Sequence, residues 1–109
     1  MRRRVVTLVA AAATATALAA GFKQSGYAVY YTGKPDRETT MTAAHLTIPF
    51  GTWVKVTHSR TGKSVTVKVN DRGPWNGKGR IIDISLPAAR ALNIIDEGVA
   101  PVTIETTSK

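Results

Sequence analysis

No cysteine occurs among the 109 residues. That excludes a disulfide framework, a thiol-anchored lipid and a thiolate metal site. No run of five basic residues occurs, and no basic stripe is interleaved with aromatics, although Lys and Arg total 15 against 7 Asp and Glu. A nucleic-acid-binding arm is therefore not expected. His45 stands at no metal-ligand spacing from an Asp or from the second His, so no metal or other cofactor is expected. Repeats and low-complexity runs are absent after residue 20. Only one long apolar run exists, Val5–Ala20, and its 16 residues fall short of the roughly 20 that a membrane-spanning helix needs.

That run has another reading. Met1-Arg2-Arg3-Arg4 is a basic leader, the Ala-rich run follows, and Ala17-Leu18-Ala19 is a small-x-small cleavage pattern. Together they form the three parts of a secretory signal peptide, expected at residues 1–19. Its removal takes away three basic residues and no acid, which lowers the net charge from +8 to +5. The remaining 90 residues suit one small domain, expected at 26–106 after a linker at 20–25, with a polar tail at 107–109. The expected location is secreted or in the cell envelope, as a monomer with no stable membrane association. Without disulfides, a closed β-structure suits this size because it leaves no unpaired edge. A basic exported domain suggests a cell-wall polymer as partner rather than nucleic acid; a merely soluble basic surface is the other reading.

Gly26–Tyr31 reads as a first strand, and Thr32–Thr40, with Gly33, Pro35 and Asp36, reads as a loop. Tyr30 and Tyr31 beside that loop either line a sugar site or fill the end of a barrel. Trp53–Thr57 and Val65–Val69 alternate as strands and form a hairpin across His58–Lys63, with Gly62 at the positive-φ position. His58 is expected to be exposed on that turn. Ser85 caps a short helix with Pro87 in its first turn and Asn93 at its end, and Val99–Glu105 is the last strand. Six β segments and one short helix make an all-β, barrel-like domain.

The centre of the chain is Val65–Ser85. Val65, Val67 and Val69 alternate with polar residues, so continued parity puts Asp71 on the apolar side at the strand's end and Arg72 on the other. Gly73-Pro74 then breaks the strand. An acid presented this way is either a proton donor to a ligand or a turn former that bonds its own backbone. Trp75, in the following loop, either stacks on a sugar or covers the core. Arg80 and Lys78 either contact a glycan or remain solvated. Asp83 is expected to bond backbone at the strand-to-helix junction near Ser85; as a catalytic base it would make the protein a hydrolase.

Four ordered motifs resemble the rare lipoprotein A family of septal-ring lytic transglycosylases. They are Thr42-Ala43-Ala44-His45, Pro49-Phe50-Gly51-Thr52, Val69–Pro74 and Gly79–Ser85. The resemblance runs from about Gly26 to Glu105. It implies a six-stranded double-psi β-barrel of the barwin and expansin type with one or two short helices. It further implies that Asp71 is the catalytic acid, that His45 is required with it, and that Tyr30 and Tyr31 match an aromatic pair. Tyr30, Tyr31, Arg72, Trp75 and Arg80 are then the expected substrate-binding residues, and peptidoglycan glycan strands the partner. One departure stands out: Thr32–Met41 is short and lacks the family's Thr-Ala-x-Gly-Glu motif, with Glu38 out of register, so one wall of the cleft is expected to be reshaped.

The reaction so implied needs little from the protein. An acid protonates the glycosidic oxygen, the muramic C6 hydroxyl attacks its own C1, and a 1,6-anhydro end results without water. A non-catalytic, expansin-like wall-binding module using the same cleft is the alternative.

Overall fold

A computed structural model describes residues 21–109. The signal peptide expected at 1–19 lies outside the described residues. Six strands close into a barrel: β1 Lys23–Tyr31, β2 Thr42–Ala44, β3 Trp53–His58, β4 Ser64–Asp71, β5 Arg80–Ser85 and β6 Ala100–Thr107. Their order around the barrel is β1-β5-β2-β4-β3-β6. The pairs β1–β5 and β2–β4 are parallel, and the others are antiparallel.

The valine alternation of β3 and β4 builds one part of the interior. Val54 pairs with Val67 and Val56 with Val65, and all four are buried beside Val69, Ile82, Ile84, Val102 and Ile104. Each such side chain contributes about 1.5–3 kcal/mol when removed from water. Helix α1, Leu86–Leu92, packs on β4, β5 and β1 and buries Ala88, Ala89 and Leu92. Ser85 caps it from extended backbone, its Oγ accepting from Ala88 N at 3.4 Å. The same Oγ accepts from Thr42 N at 3.2 Å and donates to Thr40 O at 2.8 Å, so one hydroxyl joins the helix start to β2. Asn93 ends the helix in the left-handed region at φ 63°.

β1 begins at Lys23 rather than Gly26. Lys23, Gln24 and Ser25, expected in a linker, pair with Glu105, Ile104 and Thr103 of β6 and help close the barrel. Nothing in that polar tripeptide favours a strand; a neighbouring backbone with free ladder positions decides it. Gly26 is required where β5 begins, because a Cβ there would lie 2.7 Å from Ile81 Cγ2 and 2.8 Å from Gly79 O.

His58 is not exposed but buried, at 1%. Its Nδ1 accepts the turn's N–H groups of Arg60 and Thr61 at 3.1 and 3.4 Å. Its Nε2 therefore carries the proton and donates to Glu97 Oε1 at 2.9 Å. The turn's otherwise unpaired amides draw the ring inward.

One irregularity reorients the centre of the molecule. Ala43 pairs with Val69, but Ala44 pairs with Asp71, so Asn70 is an extra residue on β4. A register shift of one residue exchanges the faces of a sheet. Asp71 therefore leaves the valine face, where parity places it, and turns to the outer face of the barrel.

Candidate active site

Ala44 also pairs with Asp83 across β2–β5, and Asp83 pairs with Val29 across β1–β5. Val29, Asp83, Ala44 and Asp71 thus form a row across four neighbouring strands. Ile82 and Ile84 are fully buried, which turns Asp83 outward. Ala28 is buried and Tyr30 packs against the core, which turns Val29 and Tyr31 outward. The row carries two carboxyl groups, with a single methyl group between them.

Asp71 is well supplied with donors. The Tyr31 hydroxyl donates to Oδ2 at 2.9 Å, and Arg72 N donates to Oδ1 at 2.9 Å. Each carboxylate oxygen thus has a donor. Burial and the Asp71 carboxylate, helped by Asp83, push the Tyr31 hydroxyl far above the ordinary phenol range, so it keeps its proton and remains a donor.

Asp83 is not so supplied. Its Oδ1 is buried and has no hydrogen-bond partner among the described residues. Burial first, and the Asp71 charge second, push its carboxyl up to about 6. The backbone bonds at the strand-to-helix junction, expected from Asp83, come instead from Ser85.

His45 sits beside this site rather than in it. Its main-chain N donates to Asp71 O at 3.1 Å, but its ring turns away from the carboxylate. Nδ1 accepts from Thr47 N and Ile48 N, each at 3.1 Å, so Nε2 bears the proton and donates to Gln24 Oε1 at 2.8 Å. Burial, then the Arg72 charge, holds its pKa below the usual imidazole value. This neutral ring caps a turn, as His58 does, and no side-chain bond joins it to Asp71. The turn in turn receives Arg72, whose guanidinium donates to His45 O at 3.0 Å and Ile48 O at 2.8 Å and lies 4.1 Å from the Phe50 ring centroid. Arg72 is committed to this turn and holds Asp71 in place; it is not a free ligand contact.

The expected aromatic pair divides. Tyr31 belongs to the groove, whereas Tyr30 donates to Ile95 O at 2.8 Å and packs on the core, filling the end of the barrel. Trp75 is 77% exposed. A Cβ on Gly73 would lie 3.6 Å from Trp75 Nε1 and 3.8 Å from Ala44 Cβ, so the indole stands at the Asp71 end of the row. Arg80 begins β5 opposite Tyr27, and among the described residues no hydrogen bond or ion pair joins it to either carboxyl group.

The short Thr32–Met41 segment is fastened to β4. Lys68 Nζ reaches Asp36 Oδ1 at 3.2 Å and Glu38 Oε1 at 3.0 Å, and Asn70 Nδ2 donates to Lys34 O at 3.0 Å. These bonds hold a wall beside Tyr31. A cavity of about 330 Å³ lies within this segment, lined by Gly33, Lys34, Asp36, Thr40, Thr42 and Pro87, and neither Asp71 nor Asp83 lines it.

A closed six-stranded barrel with two parallel pairs, bearing acids on its outer face, is the double-psi β-barrel class. Solved structures agree on the fold. The expansin of Clavibacter michiganensis superimposes with a TM-score of 0.64 at 23% identity, over 81% of this chain and 52% of its own. A Streptomyces papain inhibitor gives 0.63 at 25% identity, over 81% of this chain and 96% of its own. The sequence profile of the lytic transglycolase family matches residues 14–104, and the chain belongs to that family. A Nostoc sp. relative, described as a probable endolytic peptidoglycan transglycosylase RlpA, is 53% identical over 72% of this chain and 21% of its own length. The endolytic peptidoglycan transglycosylase RlpA of Neisseria meningitidis serogroup A is 45% identical over 79% of this chain and 40% of its own. The chain thus spans less than half the length of these relatives.

Proposed function

We propose that this domain is an exported lytic transglycosylase that cuts the glycan strands of peptidoglycan between N-acetylmuramic acid and N-acetylglucosamine. Asp71 is the centre of its acid–base chemistry. One observation carries this reading: an outward carboxylate fixed by Tyr31 and Arg72 N–H, standing in an open row on the barrel. Membership of the lytic transglycolase family supports it.

Two protons must move. One goes to the bridging oxygen as its bond to C1 breaks, and one leaves the C6 hydroxyl as its oxygen bonds to C1. The nucleophile is part of the substrate, so its effective concentration is high and no enzyme nucleophile is needed. A fixed carboxylate within reach of the C6 hydroxyl contributes about 10²–10⁴-fold by general base catalysis. The exposed Trp75 indole offers a flat face for an adjacent sugar. His45 is a positioning residue, acting through the turn that holds Arg72.

The test is the product. Incubation of the purified chain with peptidoglycan, intact and stripped of its peptides, yields 1,6-anhydro ends by mass, and Asp71→Asn abolishes them. Ends heavier by one water indicate a hydrolase. Binding without new ends indicates a wall-binding module of expansin type, and either outcome overturns the proposal.

A further inference from the structure

Asp83 has no structural task in the barrel. The main-chain groups at the end of β5 are bonded by Ser85, and Asp83 Oδ1 is buried without a donor. A buried carboxylate oxygen with no donor is costly, and the cost is relieved when the group holds a proton. Asp71, by contrast, has a donor on each oxygen. The two acids flank Ala44 on adjacent strands, so their Cα atoms are separated by about two strand spacings, roughly 10 Å. Within the row only the Ala44 methyl lies between them, while the Tyr31 side chain reaches in from β1 to bond Asp71 Oδ2.

We propose that Asp83 is the proton donor of this site and Asp71 the proton acceptor, working on the two sides of one sugar linkage. The inference rests on the transglycosylase reading and divides its two proton transfers between two groups. The Asp83 carboxyl proton passes to the bridging oxygen, which leaves C1 with the electron pair of the broken bond. The C6 hydroxyl oxygen bonds to C1, and its proton passes to the Asp71 carboxylate. After release, Asp83 regains a proton from solvent and Asp71 returns one, so the cycle balances without water as a reactant.

The surroundings suit this division. From β4 the Asp71 carboxylate faces Asp83, from β1 the Tyr31 hydroxyl, and from β2 only the Ala44 methyl. Burial and the Asp71 charge raise the Asp83 carboxyl to about 6, so a useful fraction is protonated near neutral pH. Tyr31 stays protonated and remains a donor to Asp71 Oδ2.

The test compares Asp83→Asn and Asp71→Asn on two substrates: peptidoglycan, and a muramyl glycoside whose 4-nitrophenolate leaving group departs without protonation. Asp83→Asn is expected to lose about 10²–10⁴-fold on peptidoglycan and to recover to within about tenfold of wild type on the activated glycoside. Asp71→Asn is expected to be impaired on both. Carbon-13 titration of the side-chain carboxyls gives a second readout: the Asp83 midpoint lies near 6 and falls in Asp71→Asn. An active wild type with unimpaired Asp83→Asn, or equal impairment on both substrates, overturns this division alone. A wild-type chain that makes no anhydro ends overturns the transglycosylase reading with it.

Discussion

Tyr31 is the residue whose replacement isolates a single interaction. Tyr31→Phe keeps the ring and removes the 2.9 Å bond to Asp71 Oδ2. A hydrogen bond to a charged group is worth about 1.5–3 kcal/mol. The rate of anhydro-end formation is expected to fall about tenfold or more. Initial rates check this, and an unchanged rate contradicts it. Two other residues make stability depend on pH in opposite directions. Asp83 has a folded pKa of about 6, above its ordinary value of 3.8. The folded state then binds its proton more tightly, and stability is lost as pH rises through that window. Asp83→Asn is expected to melt a few degrees above wild type near about pH 8 and to lose that advantage near about pH 4. His45 has its pKa lowered by burial and by Arg72. The unfolded chain takes up that proton first, so stability falls as pH drops below about 6.5. Protonating Nδ1 also removes the acceptor of Thr47 N and Ile48 N. Urea unfolding in the Asp83→Asn background, between about pH 7.5 and 5, reads the His45 contribution without the opposing one. A flat curve contradicts it.

At the scale of elements, Ser85 is the most connected junction, because β5, α1, β2 and the loop before β2 meet at its hydroxyl. Replacing an N-cap serine by alanine costs about 0.5–2 kcal/mol. Ser85→Ala is expected to reach the upper end of that range or exceed it, since Thr42 N loses a buried partner as well. Thermal melting measures this, and a loss below that range contradicts the joint role. The same elements show what the sequence made legible. Valine periodicity announced the β3–β4 hairpin, and Ser85, Pro87 and Asn93 announced α1. The pairing of β1 with β5 was not announced, because Tyr27 and Arg80 lie far apart in the chain and no local signal joins parallel neighbours. The motif marks Asp71 as a candidate, but parity puts it on the wrong face, since a register shift at Asn70 leaves no mark in the alternation. Asp83 was visible as an acid between two isoleucines. Its lack of a partner is a fact of packing and could not be seen beforehand. Tyr30 and Tyr31 look alike in sequence, and strand parity, known only once Ala28 is seen buried, separates core from groove.

For the whole molecule, the barrel acts as a rigid mount. Its interior is filled by aliphatic side chains from all six strands, and the two carboxyl groups stand on the outer face, where four strands present Val29, Asp83, Ala44 and Asp71 side by side. The Arg72 turn stands at one side of that row and the Thr32–Met41 segment, fastened by Lys68 and Asn70, at the other. This arrangement suits a long, thin substrate laid across strands better than a small molecule held in a cavity. In the proposed reaction the burden of bond cleavage falls on proton transfer alone. Digestion of peptidoglycan in oxygen-18 water tests that burden most directly. New muramic ends are expected to carry no oxygen-18, to be formed by wild type and to be lost in Asp71→Asn. Oxygen-18 in those ends, or unlabelled ends formed undiminished by Asp71→Asn, would contradict it.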